Sequence, residues 1–504
     1  MLSDNSHLLY QELDGLAWKA IQEWPEHAGI NVWKDGLNYQ ELSSWFLWDK
    51  ARTAVIDAGQ KETLASETME SIKPEPINLS PSLEKNKESL SNSLRKYLRR
   101  QRDTQEITKE TFNRHDSKKL LYVPIVSERL ESIVHRLLCE DAYQVVSYHA
   151  PRSPIHKLNF LKTGFKYDPD RGFAGYLFDG VCRGFKKFDL IFPEGVRELL
   201  EKQLVDLTAT VVSVEQEMQC LKPDAVLVHG DNHPPHQIYV MVARKMGLPS
   251  IMLQHGLDCE RYYLDEAYAT AIAVWGAERE RRYRQKSSWQ PRIRVVGNPQ
   301  FDSLRLPEAI DGCGSYWLWL TRPHTPEKCY APSRSPEEGL AILKGLMKAL
   351  DRHPDARLLI KAHPYDYPAK YLEIVAQSEY ADRIKITQRD LQELFSDAAV
   401  VITEDSTAGM EAMFWGRPIV HAHFAPSEPT MPFVEYGAAL PGFSEHQLMD
   451  SIASIHLMNL EDLQQFHDGQ IKFLTDFAGP CDGQASDRVV SFIADVLGTD
   501  EELL

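Results

Sequence analysis

Short apolar segments alternate with longer segments of helical periodicity along the chain, and the alternation falls into two blocks. The apolar segments of the first block are residues 120–126, 143–148, 225–229 and 250–253, and those of the second are 316–320, 356–361, 384–386, 399–403 and 418–421. Short apolar runs bounded by turns are typical of strands that are buried on both faces, as in a parallel sheet. Each block is therefore predicted to form one parallel sheet covered by helices.

The chain before the first block has a different character. Residues 8–58 contain several tryptophans at loosely helical spacing, whereas residues 60–117 are polar and rich in Pro, Glu, Lys and Ser. The second composition is typical of a linker or of exposed helices. We therefore expect a helical N-terminal extension with a polar linker over 1–117, an N-terminal Rossmann-like acceptor domain over 118–295 and a C-terminal Rossmann-like donor domain over 296–504.

Length and composition agree with a multidomain globular protein. At 504 residues the chain is too long for one hydrophobic core, and its 43% hydrophobic and 26% charged residues are ordinary for a folded protein. The 56 basic and 73 acidic residues give a formal net charge of -17. This balance argues against nucleic acid as a partner, because a nucleic-acid backbone attracts basic surfaces.

Three further features predict a cytoplasmic location. The seven cysteines are scattered without a C-x-x-C pair, which indicates a reducing compartment and no structural zinc. The first residues lack the pattern of a signal peptide, and no stretch of about 18 consecutive apolar residues is present. Residues 94–102 are basic with interleaved apolar positions. They predict either a solvated helix face or peripheral contact with the inner face of a membrane.

Polar residues follow three strands of the second block, and ligands of parallel sheets bind beyond the carboxyl ends of strands. The candidate donor-binding residues are Arg322, His324, Lys361, His363, Glu404, Ser406, Thr407, Gly409 and Glu411. The cationic side chains can donate charge-assisted hydrogen bonds to a diphosphate. The predicted helix start at Ser406, with Gly409 permitting close backbone approach, can bind phosphate, and Glu411 can bind a ribose. The alternatives are that Ser406 only caps the helix and that Glu411 forms a surface salt bridge.

Two loops of the first block carry candidate catalytic residues. His229, Asp231, His233 and His236 follow one strand, and His255, Asp258 and Glu260 follow the next. A carboxylate or an imidazole there can act as the general base that deprotonates an acceptor hydroxyl. The candidates for this role are Asp231, His229, His255 and Asp258, and the sequence leaves the choice open. A Pro-Pro pair interrupts the histidines and no H-x-x-x-H pair lies on a predicted helix, so no metal site is expected.

The order of these segments resembles that of nucleotide-sugar enzymes with GT-B architecture. Val-His-Gly-Asp at 228–231, followed by Gly-Leu-Pro at 247–249 and by a strand that ends in His-Gly, is similar to the non-hydrolysing UDP-N-acetylglucosamine 2-epimerases. The segment 296–302, between the two blocks, is similar to the crossover segment of the same enzymes. The resemblance implies two Rossmann-like domains that face a cleft.

The second block is more similar to bacterial surface-polysaccharide transferases. Ile-Lys-Ala-His-Pro at 360–364 and Asp-Ser-Thr at 405–407 resemble motifs of the CDP-glycerol glycerophosphotransferases, the bacterial sialyltransferases and polysialyltransferases, and the capsule Kdo transferases. The resemblance, which covers roughly residues 118–430, implies that His363 and Ser406 with Thr407 hold the donor phosphate. It also implies that an acidic residue in the first block is the base.

The expected function is that of a metal-independent, inverting glycosyltransferase without a cofactor. It would move a sugar from a nucleotide-activated donor to a glycan or lipid-linked acceptor during synthesis of a bacterial surface polysaccharide. Thr-Arg-Pro-His at 321–324 and the lack of an acidic residue before Gly256 depart from the epimerase pattern, and they favour transfer. Epimerisation, polyol-phosphate transfer of the CDP-glycerol type, and a non-enzymatic scaffold remain the alternatives.

Overall fold

The structure is a computed structural model of the 504-residue chain. It describes residues 6–44, 46–48, 50–51, 54–55, 105–107, 112–149, 155, 158–161, 168–232, 235–256, 267–287, 289–310, 314–322, 336–364, 366, 368–424 and 429–498. The basic segment 94–102 lies outside these residues, so the predicted membrane contact stays a prediction.

The chain alternates strands and helices over most of its length. The strands are β1 Trp33–Lys34, β2 Leu37–Asn38, β3 Gln105–Ile107, β4 Lys119–Ile125, β5 Tyr143–His149, β6 Asn159–Leu161, β7 Ala225–His229, β8 Ser250–Leu253, β9 Ala271–Val274, β10 Arg292–Val295, β11 Tyr316–Leu320, β12 Leu358–Lys361, β13 Ile384–Thr387, β14 Ala398–Thr403, β15 Ile419–Ala422 and β16 Leu440–Gly442. The helices are α1 Ser6–Ala28, α2 Glu128–Cys139, α3 Arg171–Lys186, α4 Glu194–Leu221, α5 His236–Lys245, α6 Ala277–Lys286, α7 Pro336–Arg352, α8 Pro368–Ala376, α9 Leu391–Phe395, α10 Thr407–Met413, α11 Glu445–Leu457, α12 Leu460–Phe477 and α13 Ala485–Gly498, with a short 3-10 helix at Pro299–Phe301.

Two separate parallel sheets organise the molecule. The first has eight strands in the order β10-β9-β8-β7-β4-β5-β6-β3, and the second has six in the order β13-β12-β11-β14-β15-β16. Neighbouring strands in both sheets pair in parallel. The structure therefore confirms the predicted α/β class with two Rossmann-like sheets.

The apolar runs arise because both faces of each sheet are covered. In β7, Val226 and Val228 join the hydrophobic cluster on one face, whereas Ala225 and Leu227 join the cluster on the other. Every residue of this strand is buried. A strand in this position has no solvent-facing side, so its sequence is continuously apolar rather than alternating.

The N-terminal extension contains a short hairpin in addition to the predicted helix. Strands β1 and β2 pair antiparallel, and the turn residues Asp35 and Gly36 have φ values of 52° and 78°. Such values favour Asp and Gly at hairpin turns. In the predicted linker, β3 joins the edge of the first sheet by pairing with β6. Part of the extension and linker thus belongs to the first sheet or packs beside it.

The last helix packs against the first sheet although it follows the second sheet in the chain. Phe492 and Ile493 of α13 belong to the same hydrophobic cluster as Leu121 and Leu227 of the first sheet. The carboxylate of Asp302 accepts hydrogen bonds from the first amides of this helix, Ala485 N at 2.8 Å and Ser486 N at 2.9 Å. The chain therefore crosses between the two sheets twice, once between β10 and β11 and once before α13.

The first crossing segment, which follows β10, and the second, which lies between α12 and α13, are in direct backbone contact. Asn298 N donates a hydrogen bond to Ala478 O at 3.1 Å. A Cβ atom at Gly479 would lie 2.1 Å from Trp275 O, and a Cβ at Gly276 would lie 2.0 Å from Asp476 O. These distances are below van der Waals contact, so the close approach of residues 275–276, before α6, to residues 476–479 requires glycine at both positions.

A buried carboxylate joins three elements of the first domain. Glu217 of α4 accepts hydrogen bonds from the hydroxyls of Tyr122 in β4 at 2.8 Å, Tyr239 in α5 at 3.1 Å and Ser213 at 2.8 Å. Burial raises the pKa of Glu217, and the three donors oppose that shift. The group is satisfied by its partners, which is the condition for a carboxylate inside a core.

Replacing Glu217 tests this network. We expect Glu217→Leu to reduce the free energy of unfolding by about 3 kcal/mol, because three buried hydroxyls lose their acceptor, whereas Glu217→Gln should cost about 1 kcal/mol since it keeps one acceptor and adds one donor. Urea denaturation measures both. Equal stability of the Leu variant and the wild type would contradict the assigned role.

A pair of glycine variants tests the contact between the second crossing segment and the segment before α6. Gly479 has φ +80° and the close contact with Trp275 O, whereas Gly29 has φ +64° and open space within 4 Å of the position that a Cβ would take. We expect Gly29→Ala to lose about 1 kcal/mol from the left-handed backbone alone. Gly479→Ala should lose at least about 3 kcal/mol, because a clash adds to the same strain. Similar losses in thermal denaturation would refute the contact.

Candidate functional site

The candidate donor residues meet at the carboxyl edge of the second sheet. Arg322 follows β11, and its N–H donates a hydrogen bond to Glu404 Oε1 at 3.2 Å, while its guanidinium donates to the carbonyl oxygen of Asp405. Glu404 and Asp405 follow β14, which neighbours β11. Two segments that are far apart in the sequence therefore form one site. His324 lies outside the described residues, so its predicted role stays a prediction.

A buried aspartate fixes the turn that carries His363. Thr321 Oγ1 accepts a hydrogen bond from His363 N at 3.0 Å and donates one to Asp366 Oδ2 at 2.7 Å. Asp366 also accepts from Tyr371 OH at 2.8 Å and Lys370 Nζ at 2.9 Å. Burial, and then the charge of Asp366, raises the pKa of Tyr371. This network holds the backbone of the His-Pro turn in place.

Sequence reasoning missed Thr321 and Asp366. Both are buried, and both act on the site through His363 rather than from its surface. The sequence did offer one signal for Asp366. It precedes Lys370 by four residues, a spacing that brings side chains together on a helix, and Tyr371 comes next. The link to Thr321 crosses between strands, and no local pattern encodes it.

The start of α10 adopts the geometry of a capped helix. Ser406 Oγ accepts a hydrogen bond from Ala408 N at 3.3 Å, as the capping alternative requires. A Cβ at Gly409 would lie 2.7 Å from Thr403 Cγ2 and 3.2 Å from Phe433 Cζ. Gly409 therefore lets the first turn of the helix pack against the end of β14. Ser406 and Thr407 are half-buried at the edge of the sheet, and their phosphate contact remains a prediction.

Lys361 and Glu411 also lie at this end of the sheet. Lys361 Nζ donates a hydrogen bond to Arg389 O at 2.8 Å in the loop after β13. Glu411 is half-buried, and burial, followed by the negative charge of Asp390, raises its pKa. Its contact with a ribose stays a prediction.

A second buried aspartate, also missed, stands beside Ser406. Asp405 Oδ1 accepts a hydrogen bond from Met431 N at 3.1 Å and lies 2.9 Å from His421 Nε2. Its other oxygen lies 3.3 Å from His423 Nδ1. Both imidazoles come from β15 and the residue that follows it, and all three side chains are buried.

Three histidine rings gather at the carboxyl edge of the first sheet. The centroid of the His229 ring lies 4.4 Å from that of His236 and 5.3 Å from that of His255. His229 Nδ1 lies 3.2 Å from the hydroxyl of Ser127, which follows β4. Gln254 fixes the loop of His255 by accepting from Trp275 N at 2.7 Å and donating to Gly256 O. The structure thus brings the predicted His229 and His255 together.

Asp231 occupies a different position from the histidines. It is fully buried, and its Oδ2 accepts hydrogen bonds from Tyr268 N and Ala269 N, both at 2.8 Å. Burial raises the pKa of Asp231, and the backbone hydrogen bonds oppose the shift. These contacts tie the loop after β7 to the segment before β9. Asp258, Glu260 and His233 lie outside the described residues.

A narrow pocket connects this edge to the first crossing segment. Its lining includes Arg129, His229, Gln254, Asn298 and Gln300. Asn298 is buried, and its Oδ1 accepts a hydrogen bond from Gln300 N at 3.0 Å. The crossing segment therefore contributes amide side chains to the same edge of the sheet as the histidines.

Metal-binding clusters and membrane-spanning helices are both absent from the described part of the chain. No group of three or more His, Cys, Asp or Glu side chains there has an arrangement that would hold a metal ion. None of the helices there is both long and apolar enough to cross a membrane.

Comparison with known proteins identifies relatives of part of the chain and of its fold. A model of the family described as capsule polysaccharide biosynthesis protein matches residues 334–425. A putative UDP-N-acetylglucosamine 2-epimerase from Listeria monocytogenes superposes with a TM-score of 0.50 at 15% identity, covering 76% of this chain and 98% of that one. Among curated proteins, none matches the sequence.

Two further structures superpose less closely. The MnaA protein of S. aureus, solved with UDP, gives a TM-score of 0.49 at 17% identity and covers 76% of this chain and 97% of its own. The wall teichoic acid polymerase TagF gives 0.43 at 13% identity over 81% and 98%. The likeness to the Listeria structure agrees with the GT-B-like pair of sheets that the sequence predicted.

Removing one hydroxyl tests the network around His363. We expect Thr321→Val to lose about 2 kcal/mol of unfolding free energy, because Asp366 and His363 N both lose a buried partner. Thr387→Val is the matched control, since Thr387 Oγ1 accepts a solvent-exposed hydrogen bond from Arg389 N at 3.2 Å. Hydrogen exchange should show faster exchange of the His363 amide in the Thr321 variant alone. Unchanged exchange there would contradict the network.

Proposed function

We propose that the chain is a nucleotide-sugar-dependent glycosyltransferase that acts in the synthesis of a bacterial surface polysaccharide. The observation that carries this proposal is the match to the capsule polysaccharide biosynthesis family over 334–425. That range contains His363, Ser406, Thr407 and most of the carboxyl edge of the second sheet. The donor would bind at this edge, and a glycan or lipid-linked acceptor would bind at the first sheet.

The donor half supplies the groups that a departing nucleotide phosphate needs. Arg322 is fixed by two contacts with the residues after β14, and the His363 turn is fixed through Thr321. Cationic groups and helix N–H groups held in place before the reaction stabilise charge that develops on the leaving oxygen. These residues fit a reaction that proceeds without a metal ion, and Glu411 would bind the ribose.

The acceptor half supplies a base. His255 is half-exposed beside His229, whereas Asp231 is enclosed, so we assign proton transfer to His255 or to Asp258 and a positioning role to Asp231. The base takes the proton of the acceptor hydroxyl, and the hydroxyl oxygen attacks the anomeric carbon opposite the nucleotide. The bond from that carbon to the phosphate oxygen breaks, the nucleotide leaves with the electron pair, and the anomeric configuration inverts.

Epimerisation of a nucleotide sugar is the second candidate function. The fold likeness to the Listeria protein, which is described as a putative UDP-N-acetylglucosamine 2-epimerase, favours it. An epimerase would convert the nucleotide sugar without an acceptor, whereas a transferase releases free nucleotide only when the acceptor is present or by slow hydrolysis. Transfer of a polyol phosphate would instead require a CDP-activated polyol.

Nucleotide binding is the first test. We expect one of CMP, CDP, UDP, GDP and TDP to raise the melting temperature, with or without EDTA, because a ligand at 100 times its Kd stabilises the native state by about 2.7 kcal/mol. His363→Ala should abolish the shift. His446→Ala is the matched control, since His446 is an exposed histidine of α11 whose Nδ1 lies 2.8 Å from Asp450 Oδ2.

Two results would count against the proposal. If none of the five nucleotides raises the melting temperature at millimolar concentration, the donor site is refuted. If EDTA removes the rise in melting temperature, the metal-independent mechanism is refuted. With the nucleotide identified, incubation with its sugar derivatives separates the two reactions. Conversion to an epimer without an acceptor would replace the transferase assignment with the epimerase.

A further inference from the structure

Asp405 is placed to control two groups of the donor site through its backbone. Its carbonyl oxygen accepts the hydrogen bond of the Arg322 guanidinium, and the next residue, Ser406, caps α10. The preceding residue, Glu404, accepts from Arg322 N. The orientation of the peptide at 405 therefore fixes both the Arg322 head group and the start of the helix.

The buried side chain of Asp405 anchors this peptide to the neighbouring strand. Its two oxygens contact His421, His423 and Met431 N, so the carboxylate joins the end of β14 to the end of β15 and to the segment after it. The ring of His421 is packed in turn against Phe433 and Phe443, with centroids 5.1 Å and 5.6 Å apart. The anchor of the carboxylate is therefore itself held by apolar packing.

Burying Asp405 with His421 and His423 has an unfavourable desolvation free energy. A buried carboxylate loses its hydration, and apolar residues of similar volume often stabilise a fold as well or better. A fold that needed only packing between β14 and β15 would not require an acid and two imidazoles. Asp405 precedes the cap of α10 and its carbonyl oxygen contacts Arg322, so a role in the donor site would explain why this buried polar cluster is present.

We propose that Asp405 is a positioning residue of the donor site, which holds Arg322 and the start of α10 in the orientation that binds the donor phosphate. This inference rests on the proposed function, because the phosphate is that of the nucleotide donor. Asp405 acts through Arg322 and Ser406 and does not itself touch the nucleotide.

The test compares two variants with the same chemical change. Asp405→Asn leaves one acceptor oxygen to face Met431 N and the two imidazoles, and Glu217→Gln makes the equivalent change at a buried carboxylate of the first domain. We expect the Kd of the nucleotide that stabilises the wild type to rise at least tenfold in Asp405→Asn and to stay within twofold in Glu217→Gln. Calorimetric titration with that nucleotide measures both.

Hydrogen exchange of the same proteins without ligand provides the second measurement. The amides of 406–408 and of Met431 should exchange at least tenfold faster in Asp405→Asn and at wild-type rates in Glu217→Gln. A Kd within twofold of wild type in a folded Asp405→Asn protein would overturn the inference, as would an equal loss of affinity in Glu217→Gln. If the wild type binds none of the five nucleotides, the proposed function fails and the donor role of Asp405 fails with it. Faster exchange in that case identifies Asp405 as a structural anchor alone.

Discussion

Burial of parallel strands on both faces is the constraint on which the rest of this structure depends. A strand such as β7 or β14 has no solvent-facing side, so polar side chains are placed mainly at its ends. Parallel pairing then brings the carboxyl ends of neighbouring strands to one edge. The reactive and charged side chains gather at two such edges, one on each sheet, because apolar burial leaves room for them mainly at the last residues of the strands and in the loops that follow.

Buried carboxylates hold the loops at those edges in place by accepting hydrogen bonds. Asp231, Asp366 and Asp405 each follow a strand, and each accepts hydrogen bonds from a segment that belongs to another strand or helix. Asp302 does the same for the first amides of α13. An acid at a strand end is therefore not by itself a sign of catalysis in this fold. A carboxylate that is enclosed and held by fixed donors positions its neighbours, whereas a base needs access to the substrate.

Close backbone contacts join the segment before α6 to the second crossing segment. Glycines at 276 and 479 allow backbone contact between the segment before α6 and the segment before α13, and α13 then completes the core of the first sheet. The N-terminal and C-terminal parts of the chain are consequently interdependent. The donor edge is built by one sheet, while the helix that follows it in sequence contributes to the other.

The sequence by itself determined the two parallel sheets, four strands of the first and five of the second, and the edge at which Arg322, His363 and Ser406 would meet. Those features are local, because burial leaves a run of apolar residues and a helix start leaves a capping residue. Only the tertiary structure decided that Asp231 is enclosed, that Thr321 and Asp366 hold His363, that Asp405 joins β14 to β15, and that α13 returns to the first sheet. Each of these is a contact between residues distant in the chain, and the energy of such a contact depends on burial and hydrogen-bond partners that no local pattern specifies.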